Sequence, residues 1–130
     1  MPFQVDLVSP EGSLFSGEAS MVVARSVDGD IAFQPGHVPF IGVLATNRVK
    51  LYLTDDTETV MAVHRGFVEV SGESVTVLSD VAELAADIDV PRAEAALARA
   101  TDALRIDGEN SEAAAASQRA SIRLEVAATA

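Results

Sequence analysis

No cysteine occurs anywhere in the chain, which removes disulfide staples and thiolate metal sites at once. A protein of that kind fits a reducing compartment and depends on its own core for stability. Positive charge is scarce too: 9 basic residues stand against 20 acidic ones, for a net charge of −11. That balance argues against nucleic acid, whose affinity comes largely from Lys and Arg neutralising phosphates. Long apolar runs are missing, and none approaches the roughly 20 residues of a spanning helix. Any association with a membrane is therefore expected to go through a partner. Met1-Pro2-Phe3-Gln4 opens directly into a strand-like run, without the basic start and apolar stretch of a leader.

Catalytic and metal-binding patterns are absent as well. There is no glycine-rich phosphate loop ending in lysine, no nucleophile elbow and no histidine pair at metal spacing. His37 and His64 fall in different segments, and an isolated histidine is read as structural. Asp28-Gly29-Asp30 lacks the ligand series of a calcium loop and is read as a solvated turn. With no nucleophile, base and oxyanion donor together, neither an enzyme nor a metal site is expected.

What is present divides the chain in two. Residues 1–86 read as short strands. Phe3, Val5 and Leu7 alternate with Gln4 and Asp6, and Ser9-Pro10-Glu11-Gly12 is turn chemistry. Met21–Arg25 is a strand closed by Val27-Asp28-Gly29-Asp30. Val49, Leu51 and Leu53 alternate with Lys50 and Tyr52 before Asp55-Asp56-Thr57 turns the chain back. Thr59–Val63, Gly66–Val70 and Ser74–Leu78 complete the series, with Ser71-Gly72-Glu73 as a hairpin turn. Many short strands at about 8–12-residue spacing point to a sandwich or barrel. Gly29 to Leu44, where two prolines flank a Gly-His pair, reads as a rigid, pre-shaped loop.

From residue 87 the composition changes. Ala93 to the C-terminus holds 14 alanines and a single glycine, Gly108. Ala93, Leu97, Ala100 and Leu104 recur at helical spacing. Asp89 suits the N-cap, and Pro91 the first turn. Asp107-Gly108-Glu109-Asn110 breaks the helix, Ser111 can cap the next, and Ala116, Ala120 and Leu124 form its stripe. The short break favours an antiparallel helical hairpin. The expected fold is thus α+β: an N-terminal antiparallel β-sandwich, then a C-terminal helical hairpin over 87–130. Between Ala93 and Ala130 the larger aliphatic residues number only six: Leu97, Leu104, Ile106, Ile122, Leu124 and Val126. Burying a Leu or Ile contributes roughly 1.5–3 kcal/mol, an alanine far less. Alanine favours the helices themselves, so they can persist while their docking stays marginal. Such an appendage is either a switch or a small, permanently packed cap.

Eight of the nine basic residues are arginines, the side chain suited to bidentate contact with carboxylate or phosphate. Arg92 has Asp89 three residues before it and Arg99 has Asp102 three after it, so both can form ion pairs along the helix. Arg119 and Arg123 share a face with no such acid. Folding at Gly108 brings Arg99 level with Arg119 and Arg92 level with Arg123. Four converging cations need acids or a bound anion between them. Arg119 and Arg123 can equally answer the negative end of their own helix, or acids on the β-domain or a partner.

Two blocks carry a family resemblance. Gly29, Pro35, Gly36, His37 and Pro39 match the Gly-x-x-Gly-(Ile/Leu)-Leu-Pro-Gly-His-Ala-Pro signature of the epsilon subunit of bacterial F-type ATP synthases, with Ala32, Gln34 and Val38 departing from it. Arg65-Gly66-Phe67-Val68-Glu69-Val70 and Val75–Glu83 resemble that family's Gly-Gly-Phe-Val-Glu-Val and Val-Thr-Val-Leu-Ala-Asp-x-Ala-Glu, with Arg65 in place of the first glycine. The resemblance implies a non-catalytic rotor-stalk subunit at the cytoplasmic face of a bacterial membrane. Its partners would be the gamma subunit, the membrane rotor ring and, with the hairpin extended, the catalytic subunits. It would put the loop around Asp30 and His37 near the ring. Ile88-Asp89-Val90-Pro91-Arg92-Ala93 is similar to the motif through which some members bind ATP as a regulatory ligand. That likeness implies a site from Ile88, Asp89, Arg92, Ala93, Arg99, Arg119 and Arg123, with Glu83 available to base or sugar. The alternatives are a stand-alone nucleotide-sensing module and a purely structural coupling subunit with an immobile hairpin.

Overall fold

The computed structural model describes residues 2–130. Nine strands come first: β1 (Phe3–Ser9), β2 (Gly12–Ser26), β3 (Gly29–Phe33), β4 (Phe40–Leu44), β5 (Asn47–Leu53), β6 (Glu58–Val63), β7 (Gly66–Ser71), β8 (Ser74–Leu78) and β9 (Ala82–Leu84). A 3-10 turn at Ala85–Asp87 leads into α1 (Val90–Ile106) and α2 (Ser111–Ala127).

Period-two alternation makes the sandwich. Phe3, Val5 and Leu7 of β1 are buried beside Val75 and Val77 of β8, Val68 and Val70 of β7, and Val49 and Leu51 of β5. The order β1-β8-β7-β4 forms one layer, and β5-β6-β9 with β3 forms the other. Strand β2 belongs to both. Its first part pairs with β1, from Phe3↔Ala19 to Ser9↔Gly12. Beyond a register shift between Ala19 and Met21 it pairs with β5, and from Val22 it also pairs with β3. An irregularity of that kind lets one strand bend from sheet to sheet. Apart from the parallel β1–β8 pair, the pairings are antiparallel.

The segment Gly29–Leu44 is not one loop. It contains β3 and β4, and only Gln34–Pro39 is irregular. There Gln34-Pro35-Gly36-His37 closes a turn through His37 N–H to the Gln34 carbonyl at 3.0 Å. Gly36 takes φ +85°, the position of a type II turn that favours glycine after proline. The preceding turn is likewise shorter than the sequence implies, because Gly29 and Asp30 already belong to β3.

Strand β6 is buried on both faces. Met61 and Val63 enter the sandwich core. Ala62, from the opposite face, packs with Ile88, Ile122 and Val126. This explains why Val60-Met61-Ala62-Val63 is an unbroken apolar run rather than an alternation. Helix α2 meets β5, β6 and the 3-10 turn, whereas α1 packs on α2. Asp89 caps α1 by accepting the Arg92 N–H at 3.1 Å. The cap of α2 is Asn110, whose side chain accepts from Ala113 N–H at 3.0 Å, and Ser111 is already helical. Of the α2 stripe expected from sequence, Ala120 is buried while Ala116 and Leu124 are only half-buried. Ala113, Ile122 and Val126 carry the rest of its buried surface. Ile106 points to solvent at 88 % exposure and contributes nothing to the seam.

Candidate functional site

The seam between hairpin and sandwich follows from two parities. Along β6 and one residue past it, Val60, Ala62 and His64 share the face opposite the core. On β9, Ala82 and Leu84 pack inward, which leaves Glu83 on the hairpin side, paired in register with Ala62. On α2, residues 119, 122, 123 and 126 fall on one stripe at helical spacing. Ile122 and Val126 therefore seat on Ala62 and Ile88, and Arg123 is delivered to Glu83.

Arg123 Nε lies 2.6 Å from Glu83 Oε1. A hollow of about 490 Å³ opens beside this pair, lined among others by Glu83, Asp87, Asp89, Arg92, Arg99 and Arg123. Three guanidinium groups thus face three carboxylates. Glu83 is committed to Arg123, and Asp89 to the helix cap. Arg92 and Arg99 form no salt bridge among the described residues, since Asp102 pairs with Arg105 rather than with Arg99. The ion pairs that sequence spacing suggests for Arg92 and Arg99 are therefore not made. The hollow falls within the 300–1,000 Å³ range of small-molecule pockets, with two guanidinium forks available to an anion.

Of the residues singled out from sequence, Glu83, Asp89, Arg92, Ala93, Arg99 and Arg123 come together here. Arg119 does not line this hollow. It lies in the adjoining one, of about 390 Å³, which Arg99 shares. Ile88 lines neither: it is a buried packing residue under α2. Asp87 was not anticipated and joins the rim from the 3-10 turn.

His64, read as structural from the sequence, also lies at this seam. It is only 7 % exposed, and neither ring nitrogen has a hydrogen-bond partner among the described residues. Its Nε2 is 3.5 Å from Glu83 Oε1, too far for a good hydrogen bond but close enough for charge to matter. Burial pushes its pKa below the usual histidine range, Arg123 and Arg119 push the same way, and Glu83 opposes them. The visible signal was the apolar run Val60–Val63 followed by histidine, which places that histidine just past the end of a doubly covered strand.

Asp30 and His37 are not brought together. Asp30 sits at the start of β3, held by Arg25 through Nε to Oδ1 at 2.8 Å. That hydrogen bond holds its carboxyl below the ordinary range. His37 lies beyond the far end of the same strand, with roughly 10 Å of extended chain and a turn between them. Its ring packs edge-on against Phe33 at 5.1 Å, and its Nδ1 is 2.7 Å from the Val38 carbonyl. The two cannot serve one small contact.

A larger hollow of about 660 Å³ lies on the other sheet, among Val8, Val43, Arg65, Phe67, Leu78 and Asp80. The β4–β7 and β7–β8 registers align Val43, Phe67 and Leu78 in one row, continued by Val8 of β1 beside Leu78. Phe67 is 53 % exposed, and a row of this kind suits a protein surface better than a nucleotide.

Residues 2–85 match the family described as ATP synthase, Delta/Epsilon chain, beta-sandwich domain. A relative named ATP synthase epsilon chain, from Streptomyces griseus, is 40 % identical over 95 % of this chain and 94 % of its own length. Another with that name, from Brevibacillus brevis, is 47 % identical over 74 % of this chain and 73 % of its own length. Among solved structures, a chain of the Euglena gracilis mitochondrial ATP synthase aligns at a TM-score of 0.73 and 17 % identity, covering 98 % of this chain and 78 % of that one. Sequence and fold therefore agree, and this chain belongs to the ATP synthase epsilon-chain family of non-catalytic subunits.

Proposed function

We propose that the chain is the epsilon subunit of a bacterial central stalk, coupling gamma to the membrane rotor ring and regulating ATP hydrolysis through its hairpin. The observation that carries the regulatory part is the arginine-lined hollow at the seam, assembled from α1, α2 and β9 together. A triphosphate that bridges Arg92 and Arg99 on α1 with Arg123 on α2 binds only while the helices are folded against one another. Such a ligand shifts the population toward the docked state in proportion to its differential affinity. With ATP scarce, the hairpin extends along gamma toward the catalytic subunits and obstructs hydrolysis. The exposed row Val43–Phe67–Leu78 supports a subunit contact on the sheet that the hairpin leaves bare. No described helix is long and apolar enough to cross a membrane, so attachment at the cytoplasmic face would run through the rotor ring. Asp30, at the start of β3, and His37, beyond its far end, would meet that ring at separate points of the contact.

One observation favours a second reading. Three carboxylates already accompany the three arginines, and Arg123 is already paired. The hairpin is then a fixed cap in a structural coupling subunit. Calorimetric titration of the full chain with ATP, beside Arg92→Ala, separates the two. Saturable binding that the variant loses supports the nucleotide-gated hairpin. Absence of binding to either protein returns the arginines to structure. A chain that neither binds gamma nor changes hydrolysis by a complex lacking the subunit sinks the stalk role itself and leaves a stand-alone sensor.

A further inference from the structure

His64 is the buried group that the nucleotide reading does not use, and its surroundings are unusual for a residue retained only for packing. A buried imidazole ordinarily satisfies at least one ring nitrogen. Here both are without a partner among the described residues, and the Glu83 oxygen 3.5 Å from Nε2 is the one that Arg123 has taken. Glu83 thus stands between two potential cations. One is fixed on the sandwich, and the other arrives with α2.

We propose that His64, Glu83 and Arg123 form a proton-operated latch: with His64 neutral, Glu83 holds Arg123 and the hairpin stays docked, and when His64 takes up a proton Glu83 turns to it and α2 is released. The proposal rests on the movable hairpin of the preceding reading, but not on the nucleotide. The charged groups facing His64 are Glu83 from β9 and Arg119 and Arg123 from α2. Arg65 and Asp80 line a second hollow with it, and Arg92 and Arg99 of α1 share the first hollow with Glu83.

Docking brings two guanidinium groups near His64, which disfavours the imidazolium. Undocking removes both arginines and leaves Glu83 beside it, which favours the imidazolium. The docked state therefore holds fewer protons than the released one. Its stability is fully present above the ordinary histidine pKa and is lost as the pH falls below it. One proton exchanged makes the docking constant fall about tenfold per pH unit in that window, which opens near pH ~6.5. Acidification of the compartment would favour the extended hairpin and slow hydrolysis by the complex.

Because the chain has no cysteine, a dye pair can be placed at will. Thr54→Cys beside β5 and Ala128→Cys after α2 are both exposed positions. Energy transfer between the dyes in the full chain, followed from pH 8 to pH 5, reads docking directly. Ile122→Asp, which forces a charge into the buried seat, provides the released reference. The expected result is a loss of transfer below about pH 6.5 that His64→Gln and His64→Leu both abolish. Two neutral replacements are used so that one misfolded variant does not decide the matter. The latch is overturned if the neutral variants lose transfer in step with the parent. It is equally overturned if the parent holds constant transfer while Ile122→Asp reports release. If Ile122→Asp does not lower transfer either, the movable hairpin falls together with the latch.

Discussion

The sandwich and the hairpin are built from equally regular elements, yet they are held by very different amounts of apolar surface. Sixteen buried residues, contributed by β1 to β8, form one continuous core in the sandwich. The hairpin rests on that sandwich through a cluster of four: Ala62, Ile88, Ile122 and Val126. Between the helices the buried residues are mostly alanines, Ala93 and Ala100 on α1 and Ala113 and Ala120 on α2. Helical propensity supplies the secondary structure cheaply, while burial supplies the tertiary attachment only sparingly. The α2 side of the seam also carries polar ties, Arg123 to Glu83 and a long contact from Gln118 Nε2 to the Thr46 carbonyl at 3.5 Å. A seam with a small apolar seat and a charge pair opens at lower cost than the core, and it responds to ligands and protons that the core ignores.

The largest effect expected from breaking this contrast lies on the sandwich side, at Gly66. A side chain there would drive its Cβ into the Leu78 carbonyl, and the backbone φ of +155° suits glycine. Gly66→Ala should cost up to about 6 kcal/mol, because overpacking and backbone strain, each about 1–3 kcal/mol, add. Thermal unfolding of the isolated chain checks this, and an unchanged midpoint would mean that β7 and β8 can separate there. The next comparison deletes the same kind of atoms in each region. Leu51→Ala should lower sandwich stability by about 2–5 kcal/mol and shift the whole transition. Ile122→Ala removes a similar group from the seam, yet should leave the sandwich midpoint nearly unmoved while speeding amide exchange across α1 and α2. A common drop in midpoint for both variants would show one cooperative unit and no separable hairpin.

The two regions also differed in how much their sequences disclosed. Strands β1, β5, β7 and β8 alternate strictly, with one face in the core and the other outward, so period two is plain. The first half of β2 has mostly exposed side chains from Gly12 to Glu18, and no apolar rhythm marks it. β3 and β4 are five residues each, and the glycines and prolines around them imitate a loop. β9 has only three residues, too short for any pattern. In the site, convergence of Arg92, Arg99 and Arg123 followed from folding the hairpin at Gly108, because helical phase is fixed by the break. What helical phase cannot give is the partner across the seam. The spacing of Asp102 suggested Arg99, whereas the rotamers chose Arg105 on the same helix. Ile88 belongs to a nucleotide motif by sequence and to the packing cluster by position. The neighbours of His64 were hidden for a related reason: they depend on α2 landing over β6, a contact between residues about sixty apart in the chain.

The smallest expected effect tests whether the helices are stabilised locally, independently of their seat. The apex residues are the most exposed part of the hairpin, and two neighbours compete for the capping role there. Asn110 accepts the Ala113 N–H at 3.0 Å, with φ −67° and ψ 98° outside the helical region. Ser111 is the first helical residue and makes no such bond. Asn110→Ala should therefore cost about 1 kcal/mol of helix stability, seen as faster amide exchange over the first turn of α2. Ser111→Ala should leave exchange there unchanged or slow it slightly, because alanine is the better helix former. Since Asn110 stands far from Glu83 along α2, fraying at the apex should leave the seat of Ile122 and Val126 in place. Equal effects from the two substitutions would mean that the cap is shared. An effect of Asn110→Ala that spread to the seam would mean that the hairpin docks and melts as one unit, so that its release is set by helix stability rather than by the charges at the seam.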